Sequence, residues 1–198
     1  MKYFKFLVLM LVFVVALAAI YVIHSWFFKV DVVFYSAIAD GVLAAVVTLL
    51  VASTIKWFKT FSGFEKLQTF LICLLLGYGF AISVPTVIDR SLSMYILEKL
   101  QQRGGGIKLA AFDTVFKDEY MKEHRLVDIR LTEQQQSGTI VIENGCVKLT
   151  DWGQFVASTT TWFRQTLLPK NRLIGDAYSS DLTNPMRDGA QRTDYLCK

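Results

Sequence analysis

The sequence predicts an α-helical membrane protein, with three transmembrane helices followed by a small α+β domain that contains one β-hairpin. Three observations carry this. The 198-residue chain is 53% hydrophobic and 19% charged, whereas ordinary soluble domains are about 45–50% apolar and about 25% charged. Its charges are unevenly placed: residues 1–88 hold six lysines and three acidic residues, while 15 basic and 14 acidic residues lie in 89–198. In the polar part, Asn144-Gly145 joins two β-prone runs, a strong hairpin signal. A single soluble globule, a disordered chain and a strongly basic nucleic-acid binder are all excluded by this pattern. The expected division is a transmembrane domain over 1–88, a polar domain over 89–174 and an irregular tail over 175–198.

Residues 6–28 hold no Asp, Glu, Lys or Arg. At 1.5 Å per residue they cross a hydrocarbon core of about 30 Å. The second span, 32–55, carries one charge, Asp40, and the third, 67–88, carries none. Backbone polar groups must pair internally in lipid, so each span is read as a helix. The apolar run from residue 6 continues unbroken through Phe28. Signal peptides have an apolar region of about 7–15 residues, so this run is read as an anchor.

Orientation follows from the lysines. Lys2, Lys5, Lys56, Lys59 and Lys66 fall on one side of a three-span arrangement and Lys29 alone on the other. The positive-inside rule places the N-terminus in the cytoplasm. The polar domain is then expected on the outer, periplasmic side of a bacterial-type inner membrane.

In the polar part, Ser91 is positioned to cap a helix with apolar residues at 92, 95, 96, 97 and 100. Gly104-Gly105-Gly106 ends it. This triple glycine follows a helix and lacks a later Gly-Lys-Ser/Thr, so it reads as a helix terminus rather than a phosphate cradle. A second helix is expected over 108–124 and a third over 126–137. The hairpin 139–149 follows, and Thr150-Asp151 caps a final helix from Trp152 to about Leu168, stopped by Pro169.

Helices, Ser137-Gly138, a hairpin and Leu149-Thr150-x-x-Gly153 in this order resemble the winged-helix family over residues 91–165. The resemblance implies a third helix that reads DNA in many members. Around that helix, Arg125 and Arg130 alternate with Asp128 and Glu133, and the wing tip carries Glu143. DNA affinity comes mostly from neutralised phosphates, so a near-neutral surface points to protein contact instead.

Asp40 is the one intramembrane carboxylate, and His24 in the preceding span is its expected partner. Asp40 is read as a partner contact, a polar lock onto another membrane subunit, with a proton or ion site and a helix-packing residue beside Gly41 as the alternatives. Gly77-Tyr78-Gly79 lacks the context of a potassium filter and is read as a close helix contact. Asp89-Arg90 at the membrane surface reads as a headgroup anchor, with a lipid-linked phosphate as the alternative contact. Trp162, Phe163 and Leu167 on the final helix are read as a partner or membrane contact. Spacing alone supports no disulfide, no metal site, no cofactor and no catalytic residue.

The expectation is therefore a non-enzymatic accessory or interaction subunit, contacting membrane lipid and a larger polytopic membrane protein. Asp89-Arg90 adds an assembly handling lipid-linked sugars as one such partner. The alternatives are a membrane-tethered winged-helix regulator and a small transporter or channel subunit built around Asp40.

Overall fold

A computed structural model describes residues 2–174 and 176–186. By their contacts, residues 1–124 form one compact unit and the chain from Arg125 on forms another. The first unit contains α1 (Lys2–Phe27), α2 (Val33–Thr54), α3 (Gly63–Ser83), α4 (Pro85–Arg90) and α5 (Leu92–Gln102). Three of its helical stretches, Lys2–Phe27, Val33–Thr54 and Gly63–Arg90, are long and apolar enough to cross a membrane.

Small residues decide how α2 and α3 pack. Ala37, Gly41, Ala44, Ala45, Thr48 and Ala52 form the buried stripe of α2, and Thr69, Cys73, Gly77 and Ala81 that of α3. Spacings of three and four keep each stripe on one helix face. The closest approach is glycine on glycine: a Cβ built on Gly77 would lie 2.9 Å from the Gly41 Cα. Such backbone proximity supplies direct van der Waals contact, the packing that small residues give helices able to span a membrane. The expected close contact thus holds at Gly77, while Gly79 faces open space. α1 contributes the bulk, burying Leu9, Phe13 and Leu17 against these stripes.

The third span was expected to run unbroken through residue 88. Instead it breaks at Val84, whose backbone (φ −111°, ψ −80°) leaves the helical region before Pro85 opens α4. Proline has no N–H to continue the ladder and constrains the residue before it. At the other end, Ser62 and Glu65 form a reciprocal cap: the Ser62 N–H donates to Glu65 at 2.7 Å and the Glu65 N–H to Ser62 at 3.2 Å.

α5 starts and stops as the sequence predicts. The Met94 N–H donates to Ser91 Oγ, and Gly104 and Gly105 (φ +79° and +98°) fold back so that the Gly105 N–H donates to the Leu100 carbonyl at 2.7 Å. The helical segment 109–123 is less regular than expected, because a π turn occupies Val115–Tyr120.

The second unit begins with a helix, Leu126–Gln136, and a hairpin of β1 (Ile140–Glu143) and β2 (Cys146–Leu149). Glu143 pairs with Cys146, so Asn144-Gly145 is a two-residue loop, and both residues have positive φ (52° and 75°). This is the expected I′-type turn, which matches the twist of the strands. Thr150 caps the helix Asp151–Thr166. An unexpected second hairpin follows, pairing β3 (Arg172–Ile174) with β4 (Ala177–Ser179). The irregular tail expected from residue 175 is thus corrected over 176–179, because three-residue strands leave no readable alternation. Its remainder from 187 lies outside the described residues.

The winged-helix expectation gains no support from the packing. From Arg125 on, the described residues bury only Thr139, Ile140 and Gly153. Among the described residues no helix of this unit shields an apolar core.

Candidate functional site

The turn 28–32 between α1 and α2 is short, so the end of α1 meets the first half of α2. This brings His24 and Asp40 together: His24 Nδ1 lies 2.7 Å from Asp40 Oδ1. The Asp40 side chain is 5% exposed and that of His24 27%. The imidazole and the Asp40 carboxyl group thus share one hydrogen bond. Phe28 packs edge-on against the His24 ring at 5.7 Å. A cavity of about 360 Å³ opens beside the pair, walled by Ile20, Ile23, Phe28, Ala39 and Leu43. Among the described residues no hydroxyl or thiol is hydrogen-bonded to His24. Nor does any group of three His, Cys, Asp or Glu among them suit a metal ion.

The other expected contact residues fall in separate places. Arg90 lies 4.0 Å from Asp89, and its guanidinium sits 6.0 Å from the centre of the Phe34 ring on α2. That cation–π contact ties α4 to α2. Trp162, Phe163 and Leu167 lie at the end of the final helix and are 56%, 46% and 57% exposed. On the same helix Trp152 and Phe155 stack on each other at 5.5 Å, both also exposed.

Cys73 is free and buried in the core between α1, α2 and α3, whereas Cys146 is disulfide-bonded. Spacing alone leaves the oxidation of Cys146 open, and Cys197 lies outside the described residues.

One cluster escaped the sequence reading. Lys99, 4% exposed, places its ammonium 2.6 Å from Glu119 and 2.7 Å from Glu123. Tyr95 donates to Glu123 at 3.0 Å, and Arg103 to Glu119 at 3.0 Å. The signal was a match of stripes: Tyr95, Lys99 and Arg103 recur every four residues on one helix, and Glu119 and Glu123 do so on the next. Hydrogen bonds from Lys99 are the largest cause holding Glu119 and Glu123 below the usual carboxylate range, and the same bonds push Lys99 upward. Burial, then the bond to Glu123, raises Tyr95.

A pH dependence follows. Depressed carboxylates contribute stability that is present above their unfolded pKa of about 4.3 and lost as pH falls through the lower folded value. Lys99, being raised, contributes fully below about 10.4 and loses that contribution as pH rises through its higher folded value. The thermal midpoint of the detergent-solubilised chain should therefore be level from about pH 5 to 9 and fall below about pH 4.3. Glu119→Gln with Glu123→Gln should lower the plateau and flatten the acid limb. An unchanged acid limb in that variant would assign the loss to other groups.

No family model matches the chain, and no curated protein or solved structure is similar to it.

Proposed function

We propose that this protein is a non-enzymatic, membrane-anchored accessory subunit whose segment from Arg125 on docks on a larger polytopic membrane protein. The observation that carries this reading is the unfinished core of that segment. Its hairpin and helices leave Val127, Ile142, Leu149, Trp152, Phe155 and Trp162 exposed. Large apolar side chains left exposed in this number, with Trp152 and Phe155 stacked on each other, favour an interaction site in a stable protein.

Location supports the reading. Five lysines on the N-terminal side against one on the other favour a cytoplasmic N-terminus in a bacterial-type inner membrane. Three spans then deliver the segment to the periplasmic side, where the Cys146 disulfide is at home. Arg90 is engaged with Phe34 and Asp89, which favours the headgroup-anchor reading of that pair over contact with a lipid-linked sugar. The winged-helix order of elements is compatible with docking, but DNA reading is disfavoured by local charge. Arg125 pairs with Asp128 at 2.9 Å and Arg130 with Glu133 at 2.7 Å, so both arginines are already neutralised.

The test is co-purification in mild detergent. A polytopic partner should be recovered in stoichiometric amount. Burying an aromatic side chain of this size contributes about 1.5–3 kcal/mol, so Trp162→Ala or Phe163→Ala should lower recovery about ten-fold or more. Arg125→Ala and Arg130→Ala should change it little. Loss with the arginine variants and retention with the aromatic ones would sink the docking reading and revive nucleic acid.

A further inference from the structure

The connection between α2 and α3 is a 3₁₀ turn, Lys56–Phe58, that continues as a tight turn through Thr60. Side chains three apart eclipse one another in this geometry. The turn therefore has three distinct sides. Phe58 and Phe61 form the inner one, 3% and 7% exposed, stacked on each other at 6.4 Å and packed with Leu9 and Ala52. Trp57 and Thr60 form the second: the Lys5 ammonium donates to the Trp57 carbonyl at 2.7 Å and to Thr60 Oγ1 at 3.1 Å. Lys56 and Lys59 form the third, both exposed.

Two further facts bear on this third side. The ion pair at this end of the helices uses Lys2, which holds Glu65 at 2.9 Å. Glu65 is also the one acidic residue among residues 1–6 and 55–66, and among the described residues Lys56, Lys59 and Lys66 form no ion pair. Trp57, 43% exposed, meets the exposed Phe4 edge-on at 6.2 Å. Aromatic rings exposed at the end of spanning helices sit at headgroup level. On the membrane-spanning reading, the turn is a cationic ledge at the depth of lipid phosphates.

We infer that this ledge binds the headgroup of an anionic phospholipid, with Lys56 and Lys59 as the phosphate-binding pair and Lys66 adding charge. Compact ammonium groups suit a phosphate as point charges. The inward phenylalanines and the Lys5 bonds fix the ledge in advance, so little ordering is needed when lipid binds. The inference rests on the membrane-spanning reading of the three helices.

The experiment offers the full chain, in mild detergent, an equimolar mixture of phosphatidylglycerol and phosphatidylcholine, and measures retained lipid by native mass spectrometry. Each lysine near an anionic surface is worth about five-fold in affinity, so the chain should prefer phosphatidylglycerol by on the order of ten-fold or more. Lys56→Gln with Lys59→Gln should abolish most of that preference, and high salt should weaken it. Lys170→Gln with Arg172→Gln should leave it intact. No preference in the native chain, or an undiminished one in the Lys56/Lys59 variant, would overturn the site while leaving the anchor in place. Release of the chain from membranes by alkaline carbonate would overturn the spanning reading and this site with it.

Discussion

Gly153→Ala should loosen the junction between the first hairpin and the final helix more than any other single methyl in the second unit. A Cβ on Gly153 would lie 1.9 Å from the Thr139 carbonyl oxygen and 2.9 Å from its carbon. Both are backbone atoms, so no rotamer change relieves the clash. The Thr139 carbonyl also accepts the Thr150 N–H at 3.1 Å. Thr150 in turn accepts the Gly153 N–H at 3.0 Å and donates to the Gly138 carbonyl at 2.7 Å. A shift large enough to admit the methyl breaks the end of the ladder and the helix cap together. Overpacking costs about 1–3 kcal/mol and a lost cap about 1 kcal/mol, so the expected loss is about 3 kcal/mol. Hydrogen exchange of the amides over 139–153 should accelerate on the order of a hundred-fold. Gly145→Ala is the comparison: it has open space and only its φ of +75° to resist a side chain, which costs about 1–2 kcal/mol. Equal exchange in the two variants would mean that the Gly153 contact does not govern the junction.

That junction shows how far the sequence could be read. Leu149-Thr150-x-x-Gly153 was noticed as a family-like signature, yet its physical reason is a backbone contact with Thr139 that no local pattern reveals. Asn144-Gly145 was legible because a two-residue loop with positive φ has few alternatives. Hydropathy located the spans because lipid imposes length and polarity at once. It gave no warning of the break at Val84, since Pro85 lies in a run that is apolar on both sides. His24 and Asp40 could be paired because they are nearly alone in their polarity in two spans joined by a short turn. Lys99 could not be matched to Glu119 and Glu123 with the same ease. Many exposed charges recur at spacing four, and only the packing of α5 on the segment 109–123 selects these.

His24→Leu should destabilise the membrane block more than Asp40→Ala, although both remove the same 2.7 Å bond. Interhelical hydrogen bonds in membranes average only about 0.6 kcal/mol, so the bond itself does not set the scale. What is left behind does. Without His24, the Asp40 carboxyl is stranded without its partner in a site where its side chain is 5% exposed. A buried polar group stripped of its partner costs about 1–3 kcal/mol, and more if charged. Without Asp40, the more exposed imidazole can turn toward the adjoining cavity, and alanine suits a helix whose neighbouring face already carries Ala37, Ala44 and Ala45. About 1 kcal/mol is then expected. The double variant should cost less than the sum of the two, because removing both partners leaves an apolar contact with nothing stranded. Thermal midpoints of the four proteins in one detergent read this directly. An ion-conducting role for Asp40 makes the opposite forecast: Asp40→Asn would abolish a transport activity while the midpoint and partner recovery stay unchanged. If His24→Leu is silent in the melt, the pair is not a packing lock, and the transport reading takes its place.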